Sequence, residues 1–78
     1  MPHVIVKLYP GRTDAQKERL AEAIAQSTAE IAGCALTSVS VAFQEVAPDA
    51  WAEAVYRPEI IDAAESLVRA PGYNPFES

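Results

Sequence analysis

One long amphipathic pattern lies between two β-branched runs, with only a few residues at each junction. Residues 3–9 read HVIVKLY, where Val4, Val6 and Leu8 alternate with Ile5, Lys7 and Tyr9. That period of two predicts a strand, and Pro10-Gly11 ends it as a turn. Thr13 then precedes Gln16 at the spacing of a capping box, and Asp14 suits a first helical turn. A helix is predicted from Asp14 to Ala32, with Leu20, Ile24, Ser27 or Thr28, and Ile31 on one stripe and Lys17, Glu18, Glu22 and Glu30 on solvated faces. Gly33 is its predicted C-terminal stop. Residues 38–46, SVSVAFQEV, form the second expected strand, alternating Val39, Val41 and Phe43 against Ser40, Ala42 and Gln44. Strand, helix and strand with short connections make an α/β unit of βαβ type. Its strands should be parallel and its crossover right-handed.

Such a unit is incomplete by itself. Two strands do not make a stable sheet, and 78 residues form one short domain that buries little surface and needs a staple or a partner. Cys34 is the single cysteine, so no disulfide serves. His3 is the single histidine, and no Cys/His cluster suggests a structural metal. A second copy of the chain is therefore the expected partner, adding strands to a free sheet edge. The net charge of −5 disfavours nucleic acid and anionic membrane surfaces. No apolar run approaches the ~20 residues of a membrane span, and no signal segment is evident, so a cytoplasmic protein is expected.

The last third has a different pattern. Pro48 and Asp49 are expected to start a short helix through Tyr56, which Pro58 interrupts or restarts. Residues 59–69 then carry a helical stripe of Ile60, Ile61, Ala64, Leu67 and Val68. Ala70-Pro71-Gly72 should stop it, leaving residues 73–78 as a loosely held tail. Cys34 and Phe43 read as packing residues. The alternation sets the His3 side chain opposite to Val4, on a surface or an interface.

Pro2 introduces chemistry. An initiator methionine is removed when the next side chain is small, and loss of Met1 would leave Pro2 as a secondary amine. A terminal amine titrates at roughly 7.7–8.0, and an apolar pocket or a nearby cation lowers that value. An amine poised near the working pH is a general base. While Met1 remains attached, the same nitrogen is an amide and cannot act so.

The Pro2 start, the segment Gly11-Arg12-Thr13-Asp14-Ala15-Gln16-Lys17 and the segment Leu36-Thr37-Ser38-Val39-Ser40-Val41 together resemble the 4-oxalocrotonate tautomerase family. The resemblance covers about residues 2–51. The remainder, with Ala70-Pro71-Gly72-Tyr73, resembles the longer helical extension of a dimeric, phenylpyruvate-type (PptA-like) subgroup. The resemblance implies a single tautomerase domain over residues 1–78, with its sheet completed by dimerisation. It implies Pro2 as the catalytic base, Arg12 as the ligand of a substrate carboxylate, and Trp51 as the aromatic wall of the pocket. Members typically read Leu-Thr-Ser-Val-Arg-Val where this chain has Ser40, so a second arginine is missing. Ser40 can donate one hydrogen bond there without a charge, and Lys7 and Arg57 are candidates to replace the cation.

The expected function is keto–enol tautomerisation of a small 2-keto acid or its enol, phenylpyruvate-like or a 2-hydroxydienoate, without a cofactor or a metal. Two readings compete. Related chemistry on small acids, namely hydration, dehalogenation or decarboxylation, would use Glu45 to activate water. A dimeric binding module that has lost activity would account for Ser40.

Overall fold

The computed structural model describes residues 1–77. The chain forms two compact units, Met1–Glu45 and the segment from Val46 onward.

The first unit is the expected βαβ. Strand β1 spans His3–Leu8, helix α1 spans Asp14–Ala32, and strand β2 spans Ser40–Glu45. The strands are parallel, with His3 opposite Ser40, Ile5 opposite Ala42, and Leu8 opposite Glu45. β1 stops one residue short of the expected Tyr9. Pro10 follows and restricts the residue before it. Gly11 takes a φ of 124°, which other residues rarely adopt. β2 starts two residues later than expected, because Leu36–Ser38 forms a 3₁₀ turn. There the Ser38 hydroxyl donates to the Ala35 carbonyl at 2.7 Å, a local bond of the kind that lets serine compete with extended structure.

Both ends of α1 are built as the sequence predicts. The Gln16 N–H donates to Thr13 Oγ1 at 3.1 Å, and the Thr13 N–H donates to Gln16 Oε1 at 2.8 Å. This reciprocal pair satisfies two of the donors that a helix start leaves open. Gly33 ends the helix with a φ of 74°, and the Gly33 and Cys34 N–H groups both donate to the Ala29 carbonyl.

The sheet has two dissimilar faces. Lys17 of α1 pairs with Glu45 at 3.7 Å, and Phe43 joins Asp14, Lys17, Glu18 and Ala21 around a shallow depression. Phe43 and Glu45 thus face the helix, as do Val4, Val6 and Val41 by alternation. His3, Ile5, Lys7, Ser40, Ala42 and Gln44 share the other face. Ile5 there is 48% exposed, and Ile31 at the end of the α1 stripe is 85% exposed. Among the described residues, the buried hydrophobics are Val55 and Tyr56, each still 6% exposed. A chain with so small a core has apolar surface left to bury against something else.

The second unit departs from expectation. In place of two α-helices flanking Pro58, a π-helix spans Ala52–Ile61 and runs through the proline. A proline ring in an α-helix collides with the carbonyl four residues back, here that of Ala54. Widening to the i→i+5 pattern relieves that contact, as in the bond from the Asp62 N–H to the Arg57 carbonyl at 2.9 Å. The expected helix over residues 59–69 does not form as one piece. A 3₁₀ turn, Ala64–Ser66, follows, where the Ser66 hydroxyl donates to the Ala63 carbonyl at 2.7 Å. Leu67 is extended and Val68 is fully exposed. The five apolar residues therefore do not line one stripe.

The expected loose tail is also corrected. The Tyr56 hydroxyl donates to the Tyr73 carbonyl at 2.7 Å, with the two rings 5.3 Å apart. Phe76 packs edge-on to Tyr56, and its N–H donates to Asn74 Oδ1. Residues 73–76 are thus fastened to the π-helix by aromatic contacts that a helical or strand period does not reveal. Ser78, the end of the expected tail, lies outside the described residues.

Candidate active site

Pro2 stands immediately before β1 and is half-buried. Its carbonyl accepts the Ser40 N–H at 3.1 Å, so the first bond of the parallel ladder fixes its position. The ladder uses the carbonyl of Pro2 and not its nitrogen, which has no hydrogen to give while Met1 is attached. Met1 is fully exposed. Its removal would free the amine without costing the sheet a hydrogen bond.

Ser40 lies beside Pro2 through that pairing. The Ser40 hydroxyl is engaged with His3, whose Nδ1 lies 2.6 Å from Ser40 Oγ. Both side chains are exposed. The alternation placed His3 on a surface or an interface and did not identify Ser40 as its partner. The missing signal was the register, which sets His3 directly opposite Ser40.

Arg12 occupies the exposed connection between β1 and α1. Its guanidinium forms no ion pair among the described residues, so its fork is open to a carboxylate. Arg12 and Pro2 lie at opposite ends of the six-residue β1, which at 3.3 Å per residue is a separation of about 20 Å. One chain therefore brings Pro2 and Ser40 together and keeps Arg12 apart from them.

Trp51 belongs to the second unit. Its indole Nε1–H donates to the Tyr73 hydroxyl at 2.7 Å, at the start of the π-helix. Tyr73 is the residue that the sequence reading missed, having been assigned to the tail. Replacing Tyr73 with Phe keeps the ring against Tyr56 and removes the acceptor. The expected cost is ~1 kcal/mol, read by thermal unfolding. A shift in tryptophan emission should accompany it, since Trp51 is the only tryptophan. An unchanged spectrum and melting temperature would show that this bond does not orient the indole.

Of the cations considered as replacements at the Ser40 position, Arg57 is committed elsewhere. Its Nε and Nη2 reach both Glu53 oxygens, at 2.9 and 3.2 Å, and its guanidinium lies 4.4 Å from the centre of the Phe76 ring. The hydrogen bond from Arg57 holds the Glu53 carboxyl below its ordinary pKa, and Glu53 raises that of Arg57. Any stability this lends is present above the ordinary carboxylate pKa and is lost as the pH falls through the lowered value. Both groups face solvent, which makes that contribution small. Lys7 sits on the open face of the sheet opposite Gln44. Glu45 faces Lys17 across the other side and pairs with Leu8, at the far end of the ladder from Pro2. Among the described residues, no group of three or more His, Cys, Asp or Glu could hold a metal ion, and no helix is long and apolar enough to cross a membrane.

Comparison with known proteins identifies relatives of the whole chain. A family model described as a tautomerase enzyme matches residues 2–59. The chain is 38% identical over 78 residues to a probable tautomerase of Xylella fastidiosa, covering 100% of this chain and 95% of that protein. It is 39% identical over 74 residues to tautomerase PptA of Cronobacter sakazakii, covering 94% and 97%. It is 40% identical over 75 residues to tautomerase PptA of Klebsiella pneumoniae, covering 95% and 99%.

Proposed function

The chain belongs to the tautomerase family, and on that premise we propose that its Pro2 amine, freed of Met1, is the acid/base catalyst of keto–enol interconversion in a 2-keto acid. Tautomerases are isomerases, so the substrate and product differ only in where one proton and one double bond lie. The neutral amine takes the proton of the enol hydroxyl, leaving an enolate. The resulting ammonium then delivers a proton to the adjacent carbon. A C–H bond and a C=O bond form, and the amine is regenerated.

The observation that carries this reading is the hydrogen bond from the Ser40 N–H to the Pro2 carbonyl. It anchors the residue through the side that catalysis does not need. The family match extends across both compact units, from residue 2 to residue 59, which supports one functional domain over residues 1–78. Arg12 is the carboxylate ligand in this reading, and the ~20 Å length of β1 supports its coming from a second subunit. Two β1 strands pairing about a two-fold axis run antiparallel. The start of one then adjoins the end of the other, so Pro2 meets the loop that carries the partner subunit's Arg12. In this reading the enzyme is a homodimer with a four-stranded sheet that works in the cytoplasm. Exposed Ile5 and Ile31 are surface that such assembly can cover.

Ser40 supplies a neutral donor where family members typically carry an arginine. The missing charge favours a monocarboxylate with an aryl or short unsaturated group, such as the enol of phenylpyruvate, over a dicarboxylate dienol. Glu45 faces α1 and is paired with Lys17 at 3.7 Å, on the side of the sheet opposite to Ser40, which disfavours hydration, dehalogenation and decarboxylation, since these require a carboxylate to activate water beside the amine.

The test compares catalytic efficiencies on the phenylpyruvate enol and on a dicarboxylate dienol. A charge-assisted hydrogen bond is worth roughly 1.5–3 kcal/mol. Ser40→Arg should therefore raise the relative efficiency on the dicarboxylate by one to two orders of magnitude, at about 1.4 kcal/mol per tenfold. A wild-type preference for the dicarboxylate would overturn this assignment. So would a Ser40→Arg variant whose preference is unchanged.

A further inference from the structure

Removing the enol proton leaves negative charge on oxygen, and such charge is best met by a donor already in place. The first rung of the β1–β2 ladder, next to Pro2, carries the exposed pair His3 and Ser40. Nδ1 and Oγ are 2.6 Å apart, and Ser40 is itself tied to Pro2 through the backbone. The Pro2 nitrogen is a main-chain atom at the end of the sheet, so a side chain at the next rung can flank it.

One proton lies between Nδ1 and Oγ, and only one of the two groups can supply it. If the hydroxyl supplies it, Ser40 has no hydrogen left to give. If Nδ1–H supplies it, the hydroxyl proton is free to point outward. We propose that His3 keeps its proton on Nδ1 and thereby sets Ser40 Oγ–H as the donor to the enolate oxygen. Ser40 is then a catalytic residue that touches the reacting oxygen, and His3 is a positioning residue that acts through it. When the amine takes the enol proton, the serine hydroxyl shortens its hydrogen bond to the oxygen and keeps its own proton. The two side chains thus do in series what a single charged donor would do alone. This inference rests on the reading of Pro2 as the base.

A double-mutant cycle on the phenylpyruvate enol tests it. Removing one preorganised donor lowers kcat by roughly 10²-fold, so Ser40→Ala is expected to lose about that much, with less change in KM. His3→Phe should lose a comparable factor. The double variant should lose no more than either single one, because His3 acts only through the hydroxyl. His3→Asn places an amide N–H near the position of Nδ1–H and should restore most of the activity. Independent losses that multiply to about 10⁴-fold would overturn the pairing, as would a fully active His3→Phe variant. A His3→Asn variant as poor as His3→Phe would also count against it. The pair is exposed, so these variants should fold, and circular dichroism checks that they do. Acylation of Pro2 distinguishes the two levels of the argument. An acylated protein that remains active sinks the reading of Pro2. An acylation-sensitive enzyme with independent losses at His3 and Ser40 sinks only the pair.

Discussion

Protein that retains Met1, or whose Pro2 amine has been acylated, should lose tautomerisation of the phenylpyruvate enol by ~10²–10⁴-fold, the range a positioned base contributes. The effect should be confined to chemistry. The β1–β2 ladder engages the Pro2 carbonyl through the Ser40 N–H, and neither modification touches that bond. The circular dichroism spectrum and the oligomeric state should therefore be unchanged. Intact mass sorts the protein into forms with and without Met1, and activity should follow the second form alone. Pro2→Ala keeps an amine at the same place but makes it primary and more flexible, so a partial loss is expected. Full activity in protein proven to retain Met1 would refute Pro2 as the catalyst.

Arg12→Ala should raise KM for a 2-keto acid by one to two orders of magnitude, since a charge-assisted hydrogen bond contributes roughly 1.5–3 kcal/mol. Complementation is the sharper measurement, because β1 separates Pro2 from Arg12 within one chain. Consider Arg12→Ala protein mixed with Arg12-intact protein that is blocked at Pro2. Each parent homodimer is impaired. In a mixed dimer, one site unites an intact Pro2 with an intact Arg12 from the other subunit. Random exchange makes half the dimers mixed, each with one good site of two, so activity should return to about a quarter of wild type for a two-fold dimer. No recovery after verified subunit exchange would mean that each chain supplies both residues to its own site. A stable monomer by analytical ultracentrifugation would remove the dimer reading altogether.

Nearly all of the first unit was legible from local pattern. Thr13 with Gln16, and Gly33, bound α1 at the residues predicted, because capping is chemistry between neighbours in the chain. The alternation at residues 3–9 and 38–46, with a helix between, determined a parallel pair. Pro2, Arg12 and Ser40 stood out as candidates because each falls within a recognisable local segment. What local pattern could not supply was pairing across distance. The register alone decided that His3 meets Ser40 and that Ser40 adjoins Pro2. The length of β1 alone decided that Arg12 lies far from both within one chain.

The second unit was decided by tertiary structure. The apolar spacing from Ile60 to Val68 fitted an α-helix, but Pro58 imposes a wider turn and Ser66 closes a local 3₁₀ bond. Helical period measures which residues could share a face and is blind to a ring that collides with a carbonyl. The residues around Tyr73 looked like a tail because they have no period of their own. They are held by the phenol of Tyr56 and the indole of Trp51, 17 and 22 positions away, which donate to the carbonyl and the hydroxyl of Tyr73, contacts that exist only once the chain has folded.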